Sequence, residues 1–385
     1  MTSLAFWVLL GIVVYTYAGY PALIYLLSRV RPRGLQRAPL EPRVSIVLAA
    51  HNEEAHIGRK LENLLGLDYP REKLQIIVVS DGSTDRTDEI VARCGAKNVE
   101  LVRVPHQGKP TALNAGVARA SGEIVVFCDA RQHIAQDALR AMVSYFADLK
   151  VGAVVGDTLL EAKAGPGFYW AYERIIRIAE GKVDSVVGGS GSLMGIRRHL
   201  LSPLPAEALL DDLVTPMRIV LQGYRVLYRP DVRVYDREAS VSGEFARKAR
   251  TLAGNYQALR YVPQMLNPMK NRIFFQYLSH KVLRLVCPFA LLGLLAVNIA
   301  LVARGGAGWT WYVATLAAQV AAYGLALRGA LAGERAGRLA RVSHTFVVLN
   351  AAAVEGLRRF LTGKLTWTTV RHGASDPVST SPGEG

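Results

Sequence analysis

Three short apolar runs stop abruptly at polar clusters, and this pattern restricts the fold more than any other feature of the chain. Residues 44–50 run into His51-Asn52-Glu53-Glu54, residues 75–80 into Asp81-Gly82-Ser83-Thr84-Asp85, and residues 123–128 into Asp129-Ala130-Arg131. Unbroken runs of this length, rich in β-branched side chains, suit strands buried on both faces of a parallel sheet. Residues 99–104 are a shorter candidate strand. Helical segments at 53–67, 85–93 and 110–120 alternate with the strands, the order of parallel βαβ units. In such a sheet the polar ends share one edge, where open α/β folds bind ligands. Acids at that edge hold ribose hydroxyls or a divalent cation, and helix N-termini accept phosphate. The pattern suits a nucleotide.

Each cluster has a plainer reading. Asp81-Gly82-Ser83 is a common turn sequence, with Ser83 or Thr84 placed to cap the next helix. Asn52-Glu53 reads as a helix cap, Asp129 as a cap on the following segment, and His51 as a hydrogen-bonded surface residue. The coincidence of three clusters at three strand ends favours a site. Further along, Gly108-Lys109-Pro110-Thr111-Ala112-Leu113-Asn114 puts a base at a helix start. Lys109 there either meets a phosphate or base carbonyl or is a solvated lysine. Gly188-Gly189-Ser190-Gly191-Ser192 reads as a flexible turn or loop. Asp211-Asp212 precede an apolar helical run at 213–221. They are either an N-cap pair or a general base with a neighbouring carboxylate to tune it. Residues 223–226 lead into a short strand, and 245–259 form a basic helix with Arg247, Lys248 and Arg250.

Residues 4–27 carry no charge and are almost wholly apolar, more than the roughly 20 residues that span a bilayer. They lack a basic leader and a small-residue cleavage site, so a retained helix is expected, with Pro21 placed to kink it. Arg29, Arg31, Arg33, Arg37 and Arg43 follow and direct the downstream side to the cytoplasm. Apolar runs at 285–302 and 309–327, joined by the glycine-rich 304–308, read as a membrane hairpin with Trp309 and Trp311 at the interface. The expected organisation is a transmembrane helix at 1–30, a cytoplasmic α/β domain at 40–260 and an interfacial segment at 261–281. A transmembrane hairpin at 282–329, an interfacial or partly inserted helix at 342–362 and a disordered tail at 372–385 follow. The formal net charge of +15 then reflects membrane-flanking Arg and Lys. No aromatic–basic stacking motif accompanies it, so no nucleic-acid partner is expected. The three cysteines have no metal-ligand or disulfide spacing, consistent with a reducing compartment.

In order and spacing, Asn52-Glu53, Asp81-Gly82-Ser83, Gly108-Lys109, Asp129-Ala130-Arg131, Gly188-Gly189-Ser190-Gly191, Asp211-Asp212 and Gln222-Gly223-Tyr224 resemble the family-2 inverting glycosyltransferases. The likeness covers roughly residues 40–260. It is to the membrane-integrated bacterial branch that includes cellulose, hyaluronan and poly-N-acetylglucosamine synthases. The resemblance implies an α/β fold of the GT-A (Rossmann-like) type with flanking transmembrane helices. It implies a nucleoside-diphosphate sugar donor, UDP-linked, with Ala50, Asn52, Glu53 and Asp81 near the nucleoside and Lys109 close by. Asp129 would stand by ribose and diphosphate, and Gly189, Ser190, Gly191 and Asp211 by the acceptor and donor sugar. Asp212 matches the general base. The family usually shows Asp-x-Asp where this chain has Asp129-Ala130-Arg131. An Mg²⁺ or Mn²⁺ ion on Asp129 follows from the family, whereas Arg131 cannot ligate a cation but can pair with a diphosphate. Arg247-Lys248-Ala249-Arg250-Thr251 stands for the Gln-x-x-Arg-Trp of processive synthases, keeping only the Arg, so Arg250 would contact the diphosphate. The implied setting is the bacterial inner membrane, with membrane lipids, a lipid-linked or polysaccharide acceptor, and export or polymerisation proteins as partners. The implied reaction is exopolysaccharide synthesis by sugar transfer. A processive β-glycan synthase and a non-catalytic scaffold or sensor on a degenerate fold are the rivals.

Overall fold

In the computed structural model, which describes residues 2–160, 167–236 and 244–363, the chain starts with helix α1 (Thr2–Val14). A π-helical turn at Tyr15–Gly19 follows, then α2 (Tyr20–Val30). The irregular turn sits just ahead of Pro21, whose ring and missing N–H disturb the preceding helical turn. The sheet domain then alternates strand and helix: β1 (Val44–Ala50), α3 (Glu54–Leu65), β2 (Leu74–Asp81), α4 (Thr87–Arg93), β3 (Val99–Val104), α5 (Lys109–Arg119) and β4 (Ile124–Cys128). After it come β5 (His133–Ile134), α6 (Ala138–Ser144), β6 (Val151–Leu160), α7 (Gly167–Val183), β7 (Leu193–Arg197), α8 (Asp211–Leu221), β8 (Arg225–Asp236) and α9 (Glu244–Tyr261). The C-terminal part holds α10 (Phe274–Tyr277), a second π-helical turn at Leu278–Val282, α11 (Leu283–Arg304), α12 (Trp309–Ala332) and α13 (Arg338–Leu361).

The strands form one sheet in the order β3-β2-β1-β4-β7-β6-β8-β5. The pairs β1–β2, β1–β4 and β2–β3 are parallel. Alternate side chains serve the two faces, as the pleat requires. Ile46 and Leu48 meet α3 residues Ile57, Leu61 and Leu64 on one face. Val47 and Val79 meet α5 and α8 residues Leu113, Leu213 and Met217 on the other. Helix α5 lies so close to β1 that a Cβ on Gly116 would stand 2.3 Å from Val47 Cγ1.

The expected βαβ units, and with them the common edge for the three polar clusters, are present. The second half of the sheet is richer than expected. Residues 225–236 form a twelve-residue strand, not a short one. β7 enters antiparallel between β4 and β6. The segment at 188–192 is held in place by close backbone packing and is not a loose loop.

Among the described residues, three helices are long and apolar enough to cross a membrane: Thr2–Val30, Phe274–Arg304 and Trp309–Ala332. The second begins at Phe274, so the end of the expected interfacial stretch 261–281 is continuous with it. Two of its polar residues, His280 and Lys281, sit in the π-helical turn. Phe6 of α1 packs with Leu294, Leu301 and Tyr312 of α11 and α12. Helix α13 spans the expected 342–362 segment up to Leu361, with Thr362 as its C-cap. It packs on α9, where a Cβ on Gly356 would stand 2.8 Å from Ala253 N. The expected tail at 372–385 lies outside the described residues.

Gly116→Ala forces α5 away from β1 and should cost about 1–3 kcal/mol. The measurement is the thermal midpoint of the detergent-solubilised protein, and an unchanged midpoint would contradict the close approach.

Candidate active site

The edge of the sheet is built by interlocking the loops that follow β1 and β2. Asn52 takes a positive φ of 54°, a conformation Asn tolerates better than most residues. Its side-chain Oδ1 accepts the Thr84 N–H at 2.8 Å, while its own N–H donates to Ser83 Oγ at 3.2 Å. Glu53 N–H donates to Thr87 Oγ1 at 2.9 Å, and Glu54 N–H to Asp85 Oδ2 at 3.0 Å. Ser83 and Thr84 therefore join the two loops, and neither caps α4 as the turn sequence suggested. Asp85 takes that task, accepting from Thr87 N–H at 2.9 Å and Thr87 Oγ1–H at 2.5 Å.

Asp81 is buried at the end of β2. Its carboxylate accepts N–H bonds from Gln107 at 2.8 Å and Gly108 at 3.0 Å, fixing the turn that leads into α5. The imidazoles of His51 and His106 stack at 4.1 Å beside it. His51 Nδ1 lies 2.6 Å from the Asp81 carbonyl oxygen, and His106 Nδ1 3.0 Å from Asp81 Oδ2. Sequence reasoning missed His106, because nothing in its local pattern marks it. Ala50 ends β1 with its side chain buried, so it can offer a ligand only its backbone. Arg131 leans on Glu53, 3.4 Å from Nη2 to Oε1.

Turning into α5 places Lys109 between two acids. Its ammonium is 2.9 Å from Asp129 Oδ1 and 3.7 Å from Asp211 Oδ2. Asp211 and Asp212 open α8, but the cap residue is Leu210 and no side chain caps the helix. The N-cap reading of this pair is therefore not what the structure shows. Burial pushes the Asp211 carboxyl up; Lys109 opposes the rise and Asp212 and Asp129 add to it, bringing it to about 6. Burial would lower the Lys109 pKa, but Asp129 and Asp211 outweigh it and hold the ammonium charged. Arg250 of α9 has its pKa lowered by burial, with Asp212, Asp211 and Asp129 acting against the fall. The three acids are thus within its electrostatic reach. The 188–192 segment closes the group. Gly189 N–H donates to the Asp212 carbonyl oxygen, and Ser190 and Ser192 share a hydrogen bond of 2.6 Å. A Cβ on Gly191 would stand 3.3 Å from Asp129 Oδ2, so glycine there keeps that oxygen open.

Residues 45–202 match the model of glycosyl transferase family 2. This chain carries a family 2 glycosyltransferase domain. Among curated relatives, a β-monoglucosyldiacylglycerol synthase from Nostoc is 32% identical over 60% of this chain and 52% of its own length. A poly-β-1,6-N-acetyl-D-glucosamine synthase from Staphylococcus aureus is 26% identical over 61% of this chain and 59% of its own length. The chain thus spans little more than half the length of these relatives. The solved structure of a mannosyltransferase from Pyrobaculum calidifontis, in complex with GDP-Man and Mn²⁺, is similar with a TM-score of 0.72 and 26% identity. That likeness covers 94% of this chain and 99% of the other.

A domain of this family suggests a divalent cation. Among the described residues, His51, Asp81 and His106 are the one group of three potential ligands close enough to share an ion. Asp81 there is already engaged by backbone N–H groups, and the group does not include Asp129. Asp129 is the better fit in the glycosyltransferase domain. Its Oδ2 is a hard oxygen donor facing the gap that Gly191 leaves, in a cluster whose acids outnumber its cations.

The raised Asp211 gives a pH signature. Below about pH 6 it takes up a proton, and the negative charge that supports Lys109 is lost. Initial transfer rates measured between pH 5 and 8 should drop on the acid side of that value. Asp211→Asn should flatten this limb, and an unaltered limb in the variant would detach it from Asp211.

Proposed function

We propose that the chain is an inverting hexosyltransferase of the cytoplasmic face of a bacterial inner membrane. It moves a sugar from a nucleoside-diphosphate donor to a lipid-linked or growing saccharide in exopolysaccharide biosynthesis. The observation that carries this reading is the convergence of Lys109, Asp129, Asp211 and Asp212 at the sheet edge that also holds Asp81. The nucleotide sugar and Mn²⁺ of the Pyrobaculum calidifontis mannosyltransferase support the donor class, and the named products of the curated relatives support a glycolipid or polysaccharide acceptor.

In this reading Asp81 meets the base or ribose, with His51 and His106 stacked beside it, and Asn52, Glu53 and the Ala50 backbone line the nucleoside edge. Arg131, tied to Glu53, stands beside them. Asp129 sits by ribose and diphosphate. Asp212 accepts the proton from an acceptor hydroxyl as that oxygen attacks the anomeric carbon. The bond from that carbon to the diphosphate oxygen breaks with inversion, and the nucleoside diphosphate leaves. Lys109 and Arg250 stabilise the charge that develops on the leaving group. Asp211 holds Lys109 and tunes Asp212 as its like-charged neighbour. An Mg²⁺ or Mn²⁺ ion, held by Asp129, would add positive charge beside the diphosphate.

The test is a screen of UDP- and GDP-sugars on isolated membranes, reading nucleoside diphosphate release with and without EDTA. Release with one donor that EDTA abolishes and Mn²⁺ or Mg²⁺ restores is expected. Asp212→Asn should lose at least about 10²-fold in turnover while still binding the nucleotide. Near-normal turnover in that variant would remove Asp212 from the mechanism.

A further inference from the structure

Behind the 188–192 segment lies a second cavity of about 160 Å³, formed between α7, α9, β8 and the π-helical turn that leads into α11. It has room for about five water-sized groups, which is the size of a phosphate. Its charges are uneven. Arg174 is answered by Asp157 at 2.7 Å, and His280 lies between Glu180 at 2.7 Å and Glu173 at 3.2 Å. Arg284 gives one nitrogen, Nη1, to Glu173. Its guanidinium carbon lies 5.7 Å from the centre of the Tyr172 ring, and among the described residues its buried Nε and Nη2 have no hydrogen-bond partner. Among the described residues Lys281 has neither a hydrogen bond nor an ion pair, and Arg177 donates to the Gly189 carbonyl oxygen at 3.3 Å. Buried donors without partners are costly, and a guanidinium edge with two open N–H groups matches two oxygens of a phosphate.

The cavity also faces the right places. Gly189, whose carbonyl oxygen takes Arg177, gives its N–H to the Asp212 carbonyl oxygen. The Lys281 side chain lies 3.9 Å from where a Cβ on Gly188 would stand. On the other side the lining passes to Leu285 and Leu349 of α11 and α13, and Lys281 and Arg284 belong to the candidate span Phe274–Arg304. The helix departs from α-geometry at Leu278–Val282, a kind of irregularity that recurs at functional sites.

We propose that this cavity binds the phosphate of an acceptor carried on a lipid, so that the accepting hydroxyl is held beside Asp212 while the lipid chain leaves along α11. The inference rests on the transferase reading and narrows its acceptor to a phosphate-bearing amphiphile. A neutral diacylglycerol would leave Nε and Nη2 of Arg284, and Lys281, unanswered.

The test uses the full chain in detergent and measures binding by calorimetry to farnesyl phosphate, farnesol, dioctanoyl phosphatidic acid and dioctanoylglycerol. UDP and GDP binding is measured on the same samples. The phosphate-bearing ligands should bind about tenfold or more tightly than their neutral counterparts, and UDP or GDP should not displace them. Preference for farnesyl phosphate assigns the phosphate to a polyprenyl carrier, and preference for phosphatidic acid assigns it to a glycerolipid. Lys281→Gln should abolish the preference while nucleotide binding stays as in the parent. Arg284→Lys, which keeps the charge on Glu173, should retain part of it. Equal binding of farnesyl phosphate and farnesol and of phosphatidic acid and dioctanoylglycerol, or an undiminished preference in Lys281→Gln, would overturn the proposal. Failure of nucleotide binding with the lipid preference intact would instead count against the transferase reading.

Discussion

The carboxyl group of Glu180 is completely buried and joins three parts of the chain. It accepts the Tyr20 hydroxyl proton at 2.5 Å, shares a hydrogen bond of 2.7 Å with His280 Nδ1 and accepts the Val187 N–H at 3.2 Å. Tyr20 belongs to the first apolar helix, His280 to the second, and Val187 leads directly into the glycine-rich segment of the site. A carboxyl group out of water is tolerated only where its hydrogen bonds are made. The position of the 188–192 segment is therefore tied to that of both apolar helices. Tyr20 and Ile24 also pack on Ile176 and Ala179 of α7. The sheet domain is consequently set against the apolar helices by a polar joint with an apolar surround, a geometry more specific than apolar packing alone.

Inside the site the same economy appears with charges. Lys109 lies between Asp129 and Asp211, and neither Lys109 nor Asp211 could be buried alone at small cost. Removing any one would leave its neighbours with uncompensated charge. This accounts for a raised carboxyl and a firmly protonated amine side by side, a pairing typical of functional sites. It also bears on Arg131. With three acids already gathered around Lys109, the position where the family usually has a second acid carries a guanidinium that pairs with Glu53.

The first half of the sheet was legible because β1, β2 and β4 are buried on both faces and so read as unbroken apolar runs. Their polar ends then had only one edge to share. β6 was not legible. It contains Gly152 and Gly156, and its Asp157 is fully buried, which by composition suggests a turn. The partners that make this burial affordable, Arg174 and Tyr228, lie on other elements. The start of the second apolar helix was hidden in the same way. His280, Lys281 and Arg284 break the apolar run, and the glutamates that answer two of them are roughly a hundred residues away. Local pattern records what a residue is, and these residues are explained by what they meet.

The glycine-rich segment makes the point most sharply, because its composition was read as mobility. Glycine is used where the backbone must turn freely and also where another group must come close. At Gly189 the second reason holds. A Cβ there would stand 2.9 Å from Met194 Sδ and 3.0 Å from the Asp212 carbonyl oxygen. The same backbone gives its N–H to that oxygen and its carbonyl oxygen to Arg177. The segment thus links the first turn of α8, which carries Asp212, to the cationic cavity on its far side. A side chain at Gly189 would push these two apart without removing a single charged group. The spacing between the carboxylate and the cavity, which the local backbone sets, is therefore as much a property of the site as the identities of the acids.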